Sequence, residues 1–302
     1  MSKVKQWLIV WFKAARAPFL VVSAIPALLG GVIAYAHGAF DWTVFLLAAG
    51  GVVMAHSAAD FIDDYFDYQH GNLGNKVQQF HDSPLISGEV TLRQVLVATI
   101  LCAALAAAAG IALLVRVGAP VLIMAAIGGF IVLFYTSPPV RLNYRGLGET
   151  ALFVAFGPAL VFGVYFVLTE TFIWVPLLAS FPLGIFTMNV GIVSNTFDYD
   201  DDVRSGKYTL PVRLGQQRAV QLLAVLTAVA YIELVAAIAF GWLPLWCALG
   251  LLTLPLGVDT VRLTARYADS KQYAPAMGRA IALSALMGLL LSLGYWLSVM
   301  PG

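Results

Sequence analysis

Charge is what this sequence most lacks. Of its 302 residues, 17 are Lys or Arg and 16 are Asp or Glu, an 11% share, where soluble globular chains average about 25%. So few charges exclude a disordered segment, a nucleic-acid binder with a basic face and an ordinary soluble enzyme. Cysteine is scarce too. Cys102 and Cys247 both sit in apolar runs, which leaves neither a disulfide framework nor a Cys-based metal site. Apolar residues fill the gap, at 61% against about 45–50% in soluble chains. The net charge of +1 says nothing by itself; the placement of the charges does.

Runs without Asp, Glu, Lys or Arg cover Ala17–Phe40, Trp42–Ala59, Gln94–Val115, Val117–Val140, Thr150–Thr169, Thr171–Phe197 and Ala280–Gly302. A further run, Ala219–Val258, is broken only by Glu233 and is twice the length of one helix. A membrane-crossing helix needs about 20 apolar residues, and Gly241-Trp242-Leu243-Pro244 is a turn signal at which this long run divides. Length alone would allow two soluble domains. The pattern instead predicts an all-α, polytopic bundle of nine transmembrane helices, one domain over residues 1–302, embedded in a lipid bilayer. With the N-terminus in the cytoplasm, 16 of the 17 basic residues fall on that side: Lys3, Lys5, Lys13, Arg16, Lys76, Arg93, Arg141, Arg145, Arg204, Lys207, Arg213, Arg218, Arg262, Arg266, Lys271 and Arg279. Only Arg116 falls outside, and so strong an asymmetry supports both orientation and helix count. The first run is longer than the apolar region of a signal peptide and holds Pro18 and Pro26, so it reads as a span rather than a cleaved leader.

The acidic residues are concentrated. Asp60, Asp63, Asp64 and Asp67 follow the second span at helical i, i+3, i+4, i+7 spacing, and Asn195, Asp198 and Asp202 follow the sixth span at i, i+3, i+7. With Asp200 and Asp201, these two octapeptides hold eight of the 16 acidic residues. Two carboxylates about 6 Å apart repel by roughly 3 kcal/mol at an effective dielectric near 20. Such stripes either protonate or take cations, and all-oxygen ligands suit Mg²⁺, Mn²⁺ or Ca²⁺. Two facing stripes holding Mg²⁺ can clamp a diphosphate between them. A cation-coupled transporter is the competing class, but it would carry its ionisable residues near the bilayer midplane. Here only Glu233 lies inside a span and Glu149 at the edge of one.

Basic and turn residues accompany the stripes. Arg204 to Gly215 follows the second, Ser83 to Gly88 the first, and Tyr135 to Glu149, with Arg141 and Arg145, joins the fourth and fifth spans. Cations beside a metal–diphosphate site neutralise a leaving group. Lys207 and Arg145 are better candidates than Arg262 or Lys271 because they stand near the acidic clusters or Gly-containing turns.

These motifs together resemble the UbiA superfamily of intramembrane aromatic prenyltransferases. The first aspartate-rich motif of that superfamily is matched by Asp60, Asp64 and Asp67, with Asp63 before Asp64; the second is matched by Asp198 and Asp202, with Asn195 ahead of it. Gly206-Lys207-Tyr208-Thr209-Leu210-Pro211-Val212-Arg213-Leu214-Gly215 is similar to the stretch that follows it. Tyr135–Pro139, Leu142–Glu149 and Arg16-Ala17-Pro18-Phe19-Leu20 look most like the menaquinone branch, whose acceptor is 1,4-dihydroxy-2-naphthoate. Departures are Asp60 and Asp63, where relatives often carry Asn, and Ser83, where many ubiquinone-branch relatives carry Arg. The resemblance implies a transferase that moves a polyprenyl group from an allylic diphosphate to an aromatic acceptor in the cytoplasmic membrane. It further implies Mg²⁺ on Asp60, Asp64, Asp67, Asp198 and Asp202, assistance from Lys207, and substrate contacts from Asp63, Asn195, Arg141, Arg145, Tyr135 and Tyr144. Other acceptors of that superfamily, such as 4-hydroxybenzoate or homogentisate, stay open at this point.

Overall fold

The structure, a computed structural model, describes residues 3–71, 83–119 and 121–300; Lys76 and the side chain of Lys3 lie outside this description. All regular structure among the described residues is helical. In chain order the elements are α1 Lys3–Ala14, α2 Val21–Ala36 (entered through a 3₁₀ turn Ala17–Leu20), α3 Trp42–Gln69, α4 Leu92–Val117, α5 Val121–Phe134, α6 Gly148–Val154, α7 Leu160–Thr169, α8 Val175–Phe197, α9 Tyr199–Ser205, α10 Leu210–Leu214, α11 Gln216–Ala239, α12 Leu254–Thr264 (after a 3₁₀ stretch Leu245–Thr253) and α13 Tyr273–Ser298.

Eight of these segments are long and apolar enough to cross a membrane: Ala17–Ala36, Trp42–Gln69, Leu92–Val117, Gly148–Thr169, Val175–Phe197, Gln216–Ala239, Leu245–Thr264 and Ser270–Ser298. The ninth expected span is α5, an apolar helix of 14 residues, which at 1.5 Å per residue reaches only about 21 Å. The split at Gly241 is as expected: α11 ends at Ala239, and Gly241 takes φ +72° in the turn. Three short helices were not legible in the charge pattern. They are α1, which carries Trp7, Leu8 and Phe12 exposed between Lys5 and Lys13, and the linkers α9 and α10.

α8 is the central helix. Seventy-two per cent of its apolar window is buried, against 6% for α4, and α2, α7, α11 and α13 surround it. Lipid tails are as apolar as leucine, so close packing rather than water exclusion joins such helices. Small residues permit it. A Cβ on Gly30 of α2 would stand 2.5 Å from the Val161 carbonyl of α7, and one on Gly157 would stand 2.7 Å from Gly184 of α8. Between α6 and α7, Ala155–Ala159 forms a π turn containing Pro158. The missing N–H of proline is absorbed there by the widened turn.

α3 and α4 pair as an antiparallel hairpin. At the start of α3, Asp41 caps the helix by accepting from the amides of Thr43 (2.7 Å) and Val44 (3.0 Å). Arg116, the basic residue that broke the charge asymmetry, closes the same end through a 3.0 Å ion pair to Asp41. The acidic stripe lies at the other end of α3, and the C-terminus of α8 comes to that same end.

Candidate active site

The last turns of α3 and α8, the loops Tyr135–Gly146 and Gly206–Thr209, and the start of α13 meet around one cavity of about 780 Å³. Its polar wall carries Arg16, Asp60, Asp63, Asp67, Asn195, Asp198 and Lys207; its other arm runs between α3, α4, α5 and α7 past Gly51, Ala106, Gly110, Gly128 and Leu160. A helix turns about 100° per residue, so Asp60, Asp63 and Asp67 share a sector about 60° wide and Asp64 lies about 70° from its centre. The structure follows this division. The first three line the cavity, whereas buried Asp64 is hydrogen-bonded by Arg16.

Asp67 is the hub of the polar wall. The Tyr144 hydroxyl donates to its Oδ1 at 2.8 Å and the Lys207 ammonium to its Oδ2 at 3.0 Å. Lys207 Nζ also stands 5.7 Å from the centre of the Tyr144 ring, within cation–π range. Burial alone would lower the Lys207 pKa, but Asp67, Asp202 and Asp63 outweigh it and hold the value well above 10.5. Burial, followed by the Asp67 charge, pushes the Tyr144 phenol up as well, so Tyr144 stays a donor. Arg16 behaves like Lys207. Burial opposes its charge, and Asp64, Asp63 and Asp60 more than restore it. Its backbone sits at φ +46°, a left-handed conformation that costs a non-glycine residue about 1–2 kcal/mol. That strain is confined to the residue that breaks α1 from α2 and turns its guanidinium toward the stripe.

On the α8 side, Asp198 accepts from Ser194 Oγ and from the Tyr273 hydroxyl of α13, each at 3.3 Å. Asp202 is fully buried and does not line the cavity; its Oδ2 accepts from Thr209 Oγ1 at 3.3 Å, and its carbonyl from the Lys207 amide at 2.8 Å. Asn195 donates to Glu149 Oε1 (2.9 Å), which also accepts from the Leu210 amide (3.1 Å). Glu149 thereby ties α6 to α8 and to the start of α10.

Of the expected site residues, the structure brings Asp60, Asp63, Asp67, Asn195, Asp198, Lys207 and Tyr135 to the cavity. Asp64, Asp202 and Tyr144 stand one layer behind. Arg141 lies outside it, 2.7 Å from His70 Nε2 and 5.6 Å from the Tyr144 ring centre. Arg145 is exposed and donates to the Pro139 carbonyl, away from the cavity; its loop neighbour Tyr144 points inward instead. Reasoning from the motifs missed Arg16, His56, Glu149 and Tyr273. His56 could have been found, because it stands one turn before Asp60 on the same stripe. Nothing in the sequence links Tyr273 to Asp198.

The donor set suits a hard cation. Asp60 Oδ2 and Asp63 Oδ1 are buried at this wall without a hydrogen-bond partner, and the acidic ligands are all oxygen. Among the described residues no three acidic or histidine side chains converge into a closed cage. Mg²⁺ commonly takes one or two carboxylates and completes its shell with water and substrate phosphate, so these residues fit an ion that arrives with a diphosphate.

The UbiA prenyltransferase family profile matches residues 23–284. The chain belongs to this family. It is a membrane prenyltransferase, and its relatives agree. The 1,4-dihydroxy-2-naphthoate octaprenyltransferase of Mycobacterium tuberculosis is 32% identical over 254 residues, 82% of this chain and 83% of that protein. The UbiA homologue of Aeropyrum pernix K1 superposes with a TM-score of 0.69 over 93% of this chain and 98% of its own, at 16% identity. A UbiA homologue from Archaeoglobus fulgidus, solved bound to GPP and Mg²⁺, superposes with a TM-score of 0.59 over 93% of this chain and 99% of its own, also at 16% identity. The fold of this UbiA prenyltransferase is therefore shared with proteins of very different sequence.

Proposed function

We propose that this prenyltransferase moves a polyprenyl group from an allylic diphosphate to 1,4-dihydroxy-2-naphthoate. The observation that carries the proposal is the shape of the cavity. One continuous space joins a wall of carboxylates and cations to an apolar arm lined by small residues, as an amphiphile with a diphosphate head and an isoprenoid tail requires. Asp60, Asp67 and Asp198, with Asp63 beside them, would hold Mg²⁺, and Asp64 and Asp202 would hold the first row in place from behind. A divalent ion bound there supplies charge neutralisation for a departing diphosphate.

The chain's own groups do the rest. Buried Lys207 and half-buried Arg16 present protonated cations toward the anionic head, in a setting where preorganised charge is worth more than in water. Tyr144 and Lys207 fix both oxygens of Asp67. The apolar arm excludes water, which would otherwise capture an allylic cation before the aromatic ring does. The naphthoate acceptor is favoured by the likeness to the mycobacterial enzyme and by the Tyr135–Glu149 and Arg16–Leu20 motifs. The distribution of basic residues supports an integral protein of a cytoplasmic membrane with the acidic end facing the cytoplasm. One domain over residues 1–302 is supported by cavity walls that run from Arg16 to Met277.

The test is a membrane assay with Mg²⁺, a labelled polyprenyl diphosphate, and 1,4-dihydroxy-2-naphthoate and 4-hydroxybenzoate in parallel. Prenylation of the naphthoate is expected. Prenylation of 4-hydroxybenzoate alone would overturn the acceptor assignment and leave the transferase standing.

A further inference from the structure

His56 lies on α3 one turn before Asp60, at the junction of the polar wall and the apolar arm, and it lines the cavity. Its ring is held on two sides. Phe156, presented by the π turn, packs against it edge-to-face at 4.7 Å between ring centres. Nδ1 stands 3.0 Å from Ser23 Oγ. The Ser23 hydroxyl spends its only proton on the Leu20 carbonyl at 2.9 Å, so its oxygen can only accept from His56. Nδ1 therefore carries a hydrogen, and when the ring is neutral Nε2 is its lone-pair acceptor. Nε2 faces Asp60 Oδ2 at 3.7 Å, and that oxygen is buried without a hydrogen-bond partner. Nε2 thus faces the cavity wall beside the unpartnered Asp60 oxygen, while Ser23 holds the opposite ring nitrogen.

We propose that His56 Nε2 accepts a hydrogen bond from a ring hydroxyl of the aromatic acceptor, making His56 an acceptor-binding residue and Ser23 the residue that positions it. The inference rests on the transferase reading above and adds a group that none of the aspartate motifs contains. The location is chemically apt. The diphosphate head belongs at the carboxylates and the tail in the apolar arm, so the carbon that is attacked lies at their junction, one helical turn from Asp60. A phenolic O–H held there by a neutral nitrogen orients the ring and favours its electron-rich character. The hydrogen bond involves no change in bonding, and the hydroxyl proton stays on the acceptor.

The test is a cycle that pairs enzyme and ligand variants. Wild type, H56F and S23A are purified in detergent, and their affinities for 1,4-dihydroxy-2-naphthoate, its two monomethyl ethers and 4-hydroxybenzoate are measured by calorimetry without metal or donor. H56F keeps an aromatic ring against Phe156, so packing is largely retained. The expected result is a loss of about tenfold for H56F, one hydrogen bond's worth, and a similar loss for wild type when one hydroxyl is methylated. H56F should show no further loss with that ether. S23A, which frees the ring to change tautomer, should lose about threefold. In turnover, H56F should raise the KM for the acceptor about tenfold and change that for the prenyl diphosphate less than twofold. Additive losses in the cycle, or equal rises in both KM values, would overturn the role of His56 while leaving the naphthoate reading intact. Binding of 4-hydroxybenzoate alone, with the H56F loss preserved, would overturn only the naphthoate reading. A wild type that binds none of these phenols would overturn both.

Discussion

Lys207 Nζ meets Asp67 Oδ2 at 3.0 Å across 140 residues of sequence, with both side chains only 5% exposed. The pair joins the loop after α9 to the last turn of α3 and so closes the polar wall of the cavity. It is both structural and chemical, and the two roles separate under mutation.

Removing one partner leaves a buried charge without its counterion, which costs about 3–5 kcal/mol, whereas replacing both with neutral groups is often close to neutral. K207M is therefore expected to lower the thermal midpoint in detergent sharply, and D67N/K207M to recover most of that loss. Turnover should stay lost in the double variant, because the wall then lacks both the Lys207 cation and the Asp67 carboxylate. A double variant as unstable as K207M would show that the pair is not the source of the stability.

The pH dependence of this pair has a definite sign. The Lys207 value is raised above 10.5 by Asp67, Asp202 and Asp63 against the opposing effect of burial. A lysine raised on folding contributes stability that is complete below its unfolded value and drains only as pH climbs through the higher folded value. The difference in melting temperature between wild type and K207M should accordingly be the same at about pH 7 and about pH 9.5. A gap that closes by half over that interval would mean that Lys207 has lost its proton, and with it the pairing.

The spans and the acidic stripes were legible in the sequence because each is a local pattern. A bilayer forbids charge over about 20 residues, and helical spacing puts Asp60, Asp63 and Asp67 on one sector. The same spacing puts Asp64 at the edge of the stripe, but only the fold brings Arg16 to that edge. Tyr273 reaches Asp198 from 75 residues away, a contact set by α13 packing on α8. Arg145 stands beside Gly146, a position that reads as site-directed, and the 3₁₀ turn Leu142–Arg145 buries Tyr144 while leaving Arg145 exposed. His56 had a local signal in its register with Asp60, and Arg16 and Glu149 stood inside quoted motifs, but only the fold shows that Arg16 and His56 reach the cavity.

The cavity-facing carboxylates are expected to matter more for chemistry than for folding. Asp60→Asn and Asp198→Asn remove charge with little change in volume. Each should cut turnover by a hundredfold or more while the protein still inserts and purifies as a monodisperse species. EDTA should silence wild type, and added Mg²⁺ should restore it. Wild-type rates in either variant, or turnover that survives EDTA, would sink the assignment of this wall as the metal site.

The far arm sets which tails fit. Gly128 of α5 lines it, and a Cβ built at Gly128 would meet nothing within 4 Å. A side chain added there has room to grow, so its cost to packing is small, and Gly→Leu on a helix also removes glycine's propensity penalty of about 1 kcal/mol. G128L should therefore fold at least as well as wild type. Its side chain takes up part of the arm, in which each buried methylene of a tail contributes about 0.8 kcal/mol. The expected outcome is a shift in donor preference. With geranyl diphosphate the variant should keep kcat/KM within about twofold of wild type, and with an octaprenyl donor it should lose tenfold or more. Parallel measurements with donors of two, four and eight isoprene units decide the point. An equal loss with every donor would place the tail elsewhere, along a path that does not pass α5.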